Sequence, residues 1–220
     1  MTDYKCHSLI IGGTGQFGIT LKNQLNQKNK KVIITSRFKK STIKKKQFEI
    51  VVLDIFNKEK IFKIIKKYKP QNIFYFAGQS SPKISFIKKN ETLRSNYIGC
   101  KNVLESVYKI DKSISFFYAA SSEIYGKIKG TISLSSKKYP INPYGISKLK
   151  GLNITRLYRE KYKLKTYSAI IFNTESTLRD KSFFIPKICM AAINAYKYNL
   201  KTAFGNLDIK REWNWCDDQC

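Results

Sequence analysis

SLIIGGTGQFGITL, residues 8–21, passes from a short apolar run through Gly12, Gly15 and Gly18 at GxxGxxG spacing into ITLKNQLNQKNK, whose apolar residues recur at helical intervals. Glycines at that spacing alone signal no more than a tight turn. Between a strand and an amphipathic helix they make a phosphate cradle. Small residues let the backbone approach a ligand, and the unpaired amides and dipole of the helix N-terminus attract a pyrophosphate.

The segments that follow extend the pattern. KVIITSR (31–37) reads as a second strand and FEIVVLD (48–54) as a third, ending in Asp54, where a carboxylate can meet an adenine amino group. Residues 57–69 have helical periodicity and Pro70 marks the stop. NIFYFAG (72–78) reads as a fourth strand whose Ala77 and Gly78 keep the wall thin beside a cofactor, with Gln79 and Ser80 on the loop after it. One long helix is expected over 85–109, a fifth strand in SISFFYAASS (113–122), a helix to about Lys163, a sixth strand in TYSAIIFNTES (166–176) and a last helix in FIPKICMAAINAYK (184–197). This alternation predicts an α/β fold, a doubly wound parallel sheet with ligands at the carboxyl ends of its strands.

Two features of that edge carry chemistry. After the second strand, where NAD-specific folds place an acid for the ribose 2′-hydroxyl, the chain has Ser36 and Arg37, then Lys39 and Lys40. A carboxylate would repel a 2′-phosphate, whereas Ser and Arg can hold one, so NADP is the expected cofactor. The other feature is AASSEIYGKIKGTISLSSKKYPINPYGISK (119–148). Ser121, Ser122 and Glu123 close a strand, Asn142 and Pro143 read as helix-start residues, and Tyr144 stands four residues before Lys148, on one helix face. An ammonium beside a phenol favours the phenolate, which makes Tyr144 a general-base candidate, and a serine hydroxyl can bond the same substrate hydroxyl.

Composition narrows the class. At 220 residues the chain is long enough for one α/β domain and the start of another. The formal net charge of +27 comes mostly from Lys scattered through every segment, which reads as compositional bias rather than a nucleic-acid surface. Five dispersed Cys and the single His7 offer no metal-ligand spacing, so no metal is expected, and the thiols read as those of a reduced, cytoplasmic protein. Neither a membrane span nor a secretory signal is expected.

GGTGQFG, AASSEIYG and PYGISK together resemble the extended short-chain dehydrogenase/reductases, with their Rossmann fold. FNTES, SFFIPKI and GNLDIKREW resemble the FNHES, TFVTRKI and GNLDAKRDW of the GDP-mannose 4,6-dehydratase family, and the similarity runs from about Ser8 to Asp218. The resemblance implies conversion of GDP-mannose to GDP-4-keto-6-deoxymannose, in nucleotide-sugar metabolism, with NADP as hydride carrier. Tyr144, assisted by Lys148, would take the proton of the C4 hydroxyl. Glu123 would then remove the C5 proton and help the C6 hydroxyl leave as water. Ser121 matches the family's catalytic Thr. For the cofactor it implies Gly12, Gly13, Thr14, Gly15, Gln16, Phe17, Gly18, Arg37, Asp54, Ile55, Phe76, Ala77, Gly78, Gln79, Ser80, Lys148, Thr174 and Arg179; for the nucleotide sugar, Asn173, Lys187, Asn206 and Arg211.

There are departures: Thr174 stands where the family has His, Phe17 where it has Asp, and STLRD where it has SPRRG. Residues 1–172 read as the NADP-binding domain and 173–220 as the beginning of a substrate region that family members continue further. The chain therefore reads as C-terminally truncated, with an intact catalytic constellation and impaired or absent turnover. Alternatives are an epimerase or reductase of the same superfamily, or an NADP-binding remnant without turnover. The resemblance also implies a homo-oligomer.

Overall fold

A computed structural model of the chain describes residues 6–38, 44–45, 48–128, 130–205, 207–208 and 210–220. They group into two compact units, Met1–Ile171 and Phe172–Cys220.

The first unit is built on β1 (Cys6–Ile11), β2 (Val32–Ser36), the two-residue β3 (Lys44–Lys45), β4 (Phe48–Val52), β5 (Pro70–Tyr75), β6 (Ser115–Ser121) and β7 (Thr166–Ile171). They form one sheet in the order β3-β4-β2-β1-β5-β6-β7, parallel except for β3, which pairs antiparallel with β4. β1 registers Ser8 on Val32 to one side and Ser8 on Asn72 to the other, so the strand carrying the glycine turn lies inside the sheet. Such a strand meets helices on both faces, which is why SLII is a continuous apolar run. The strand order reverses at β1, and clefts form at that point in doubly wound sheets.

Helices α1 (Gln16–Gln27), α2 (Lys58–Tyr68), α3 (Pro82–Ile87), α4 (Lys89–Leu93), α5 (Gly99–Ile110) and α6 (Pro143–Glu160) complete the unit. The core gathers Ile61, Ile65 and Tyr68 of α2, Val103, Leu104 and Val107 of α5, and Ile73, Tyr75, Phe116 and Tyr118 of the sheet. In α2, Asn57 Oδ1 accepts from Lys60 N at 2.9 Å as the N-cap. Lys69 ends the helix in the left-handed region, φ 42°, and Pro70 opens the next strand rather than merely stopping the helix.

The long helix expected over 85–109 is broken. Ser81 caps α3 with Pro82 in its first turn, and Lys88, at φ −109° and ψ 50°, leaves the helical region. After α4 the chain makes a π-helical turn, Arg94–Ile98, before α5 begins. Polar side chains compete there with the helical ladder: Thr92 Oγ1 donates to Lys88 O, Ser95 Oγ to Glu91 O and Asn96 Nδ2 to Thr92 O. The helix expected to about Lys163 ends at Glu160, with Lys163 at φ 57°.

The expected sixth strand divides. Its first half is β7; Asn173–Glu175 is a separate strand, β8, pairing in parallel with β9 (Trp213–Trp215) in the second unit. That unit also holds α7 (Phe184–Tyr198) and α8 (Cys216–Gln219). Among the described residues no helix is long and apolar enough to cross a membrane.

Candidate active site

At the carboxyl edge of the first sheet lies a cleft of about 350 Å³. Gly12, Thr14 and Gly15 line one end, Thr35 to Phe38 the end of β2, Leu53, Ile55 and Phe56 the next wall, and Phe76 to Gln79 the opposite one. Gly12 sits at φ 85°, and a Cβ there would stand 2.5 Å from Ala77 N. Any side chain would fill the space between the two strand ends, the signature of a backbone shaped to admit a ligand. Gly15 is the N-cap of α1, makes no side-chain cap and lines the cleft, so the positive end of the helix dipole lies at this wall.

The other glycine-turn residues support this geometry from behind. A Cβ on Gly18 would fall 2.5 Å from Gly13 Cα, which keeps α1 close to the turn. Phe17 stacks on Phe76 with ring centroids 5.5 Å apart. Asp54 stands exposed between lining residues Leu53 and Ile55, and its Oδ1 accepts from Phe56 N at 2.9 Å. Gln79 is fixed by the π turn: its N donates to Ser95 Oγ at 3.2 Å, and its carbonyl accepts from Asn96 Nδ2 at 3.0 Å. Ser80 is exposed on the same loop.

The four catalytic candidates are collected where β6 meets the start of α6. Ser121 ends β6, and its Oγ accepts from Glu123 N at 3.3 Å. Asn142 caps α6, its Oδ1 accepting from Gly145 N at 2.7 Å, and Pro143 occupies the first helical position. The cap orients Tyr144 and, one turn later, Lys148, both buried. Lys148 Nζ donates to Ala119 O at 2.7 Å and lies 5.7 Å from the centre of the Tyr144 ring. Burial pulls the Lys148 ammonium down from its ordinary 10.5 to about 8, opposed by the nearby Cys100 sulfur. Desolvation pushes the Cys100 thiol up to about 12, which leaves it protonated and inert.

Two participants were not singled out as functional from sequence. Asn142 was legible as a helix start, but its Nδ2 also donates to Glu123 Oε2 at 2.6 Å. That bond spans a loop, and no local pattern announces it. The other is Glu91 of α4, which lines the cleft with Arg37 and pairs with it at 3.5 Å.

The remaining candidates belong to the second unit. Asn173 pairs with Trp213 in the small sheet. Thr174 Oγ1 donates to Gln219 Oε1 at 2.6 Å. Arg179 packs its guanidinium 3.7 Å from the centre of the Phe183 ring and pairs with Glu175 at 3.8 Å. Desolvation raises the Glu175 carboxyl, and Arg179 opposes it. Lys187 Nζ donates to Ala203 O and Arg211 Nη1 to Lys210 O. Asn206 lies outside the described residues.

A family profile described as GDP-mannose 4,6 dehydratase matches residues 9–220. The GDP-mannose 4,6 dehydratase of Homo sapiens is 34% identical over 162 residues, 72% of this chain and 44% of that protein. That of Drosophila melanogaster is 32% identical over 169 residues, 75% of this chain and 43% of that protein. The chain thus spans less than half the length of these two relatives. Among solved structures, a UDP-glucose 4-epimerase of Thermotoga maritima with UDP-glucose superposes at a TM-score of 0.84 with 21% identity, covering 97% of this chain and 70% of that one. A UDP-glucose 4-epimerase of Thermus thermophilus, in complex with NAD, also gives 0.84, at 20% identity, covering 97% and 71%. At such identities the structural likeness establishes the fold.

Proposed function

The chain belongs to the GDP-mannose 4,6-dehydratase family, and from that premise we propose that it is a nucleotide-sugar 4,6-dehydratase acting on GDP-mannose with NADP. The observation that carries the reading is the tie between Glu123 and the helix turn bearing Tyr144. Oxidation at C4 needs a base and its cation, but elimination of water needs a further carboxylate held beside them. Asn142 supplies that hold.

The cradle fits a dinucleotide, because a Cβ at Gly12 would fill it. Gly12 to Gly18, Phe76 to Ser80 and Asp54 with Ile55 hold the cofactor and Arg37 takes the 2′-phosphate; the family resemblance is what assigns Thr174 and Arg179 to the cofactor. When bound, NADP supplies a hydride acceptor at C4 of the sugar and a donor at C6. Ser121 bonds the C4 hydroxyl, and Tyr144 accepts its proton as C4 becomes a ketone. Lys148 stabilises the phenolate as a neighbouring cation. The ketone acidifies C5–H; Glu123 takes that proton and returns one to the departing C6 hydroxyl. The sum is one water lost with no net redox change.

Residues 1–172 serve the cofactor and the chemistry. Residues 173–220 begin the substrate region, with Asn173, Lys187, Asn206 and Arg211 toward the nucleotide sugar. The protein works in the cytoplasm as a homo-oligomer.

Mass spectrometry of GDP-mannose incubated with the chain and NADP tests this. The expected product is a nucleotide sugar lighter by one water, and Tyr144→Phe should slow its formation by about 10²- to 10⁴-fold. Epimerised UDP-glucose, with GDP-mannose untouched, would overturn the dehydratase reading in favour of an epimerase.

A further inference from the structure

Where β2 ends, Arg37 reaches across the cleft to α4: its Nη1 stands 3.5 Å from Glu91 Oε1. The other oxygen of the same carboxylate, Oε2, stands 3.4 Å from Lys88 Nζ. Glu91 therefore holds one cation on each oxygen. Both Arg37 and Glu91 line the cleft, along with Ser36 and Phe38. Position 37 is the one whose charge a dinucleotide's ribose meets first, just beyond the second strand.

The contact is a single long one between partly exposed groups, not the two-pronged fork in which guanidinium and carboxylate bind most strongly. Ion pairs of that kind contribute little and exchange readily. A phosphate monoester carries more charge than a carboxylate and can engage the fork, so it outcompetes Glu91 for Arg37. Lys88 keeps Glu91 partnered once Arg37 leaves it. A ribose bearing only a 2′-hydroxyl has no charge with which to displace the carboxylate.

We propose that Glu91 is a cofactor-selectivity residue: its carboxylate occupies the guanidinium that a 2′-phosphate must take, so the Arg37–Glu91 pair and 2′-phosphate binding exclude one another, while a ribose with a 2′-hydroxyl leaves the pair intact. This rests on the reading of Arg37 as the 2′-phosphate holder. Removing the carboxylate frees Arg37 and removes a like charge from the phosphate, two effects of one sign.

Isothermal titration of the 220-residue chain with NADP⁺ and with NAD⁺ separates the possibilities. Glu91→Gln should tighten NADP⁺ by about 2- to 5-fold and leave NAD⁺ unchanged, with the gain shrinking as ionic strength rises. Arg37→Gln should weaken NADP⁺ by about tenfold or more and spare NAD⁺. If Arg37→Gln weakens NADP⁺ but Glu91→Gln leaves it unchanged, or changes both cofactors equally, the selectivity role falls while the reading of Arg37 stands. If Arg37→Gln leaves NADP⁺ unchanged, the reading of Arg37 falls and takes the role of Glu91 with it.

Discussion

Helices α5 and α7 make the sharpest contrast in the molecule. GCKNVLESVYKI, α5, is mixed in character yet buries Cys100, Val103, Leu104 and Val107 together with Gly99, Asn102 and Ser106. FIPKICMAAINAYKY, α7, is the more apolar of the two and fully buries none of its residues. Ile188, Met190, Ile193, Tyr196 and Tyr198 of α7 stay exposed. The difference lies in what each unit offers a helix. The first provides a broad parallel sheet, while among the described residues the second has only the β8–β9 pair, and two strands alone give little surface to pack against. Apolar content makes a helix able to bury a face, and tertiary context decides whether it does.

Paired truncations would break or sharpen that contrast. Leu104→Ala should cost about 2–5 kcal/mol in urea denaturation, since a fully buried leucine leaves both a transfer loss and a cavity. Ile193→Ala should stay within about 0.5 kcal/mol, as at an exposed site. Equal losses at the two positions would show that the α7 face is covered in solution, which would erase the contrast.

Within the first unit the rule of apolar burial is itself violated at Lys148. Its pKa falls from 10.5 to about 8 on folding. Below pH 8 the folded state bears the cost of a buried ammonium, about 3 kcal/mol at 1.36 kcal/mol per unit. As pH rises through about 8 the folded state sheds that proton while the unfolded chain keeps it to about 10.5. The unfolded state then binds more protons, and stability from this group rises with pH. The stability of the native chain relative to Lys148→Met should therefore improve by about 3 kcal/mol between pH 7 and pH 10.5, measured by urea melts of both. A pH-independent difference would mean that Lys148 is solvated, and that the catalytic wall resembles the surface of α7 more than the core around α5.

What could be read from the residues follows the same division. Runs such as VIITS and FFYAA and the glycine turn are local signals, and strands, cradle and the Tyr144–Lys148 face follow from period and backbone sterics alone. The breaks at Lys88 and at Arg94–Ile98 were not legible, because they depend on Thr92, Ser95 and Asn96 turning to backbone groups that the apolar period does not report. TYSAIIFNTES has one unbroken β-like composition, yet its halves join different sheets. No local pattern sets Glu91 against Arg37; the fold brings them together. Local chemistry was legible, and pairings between distant segments were not.

Asn142 shows how one such pairing can be dissected. With Nδ2 toward the Glu123 carboxylate and Oδ1 toward Gly145 N, its amide has the one orientation in which both partners are complementary. Asn142→Ala removes both bonds: the lost cap should cost about 1 kcal/mol, and freeing Glu123 should slow dehydration by about tenfold. Asn142→Asp keeps an oxygen for Gly145 N but sets a second carboxylate against Glu123, where like charges repel. The Asp variant should therefore stay closer to native stability than the Ala variant while losing as much dehydration. Full dehydration by Asn142→Asp would show that Glu123 finds its place without this bond, and that the cap serves only the helix.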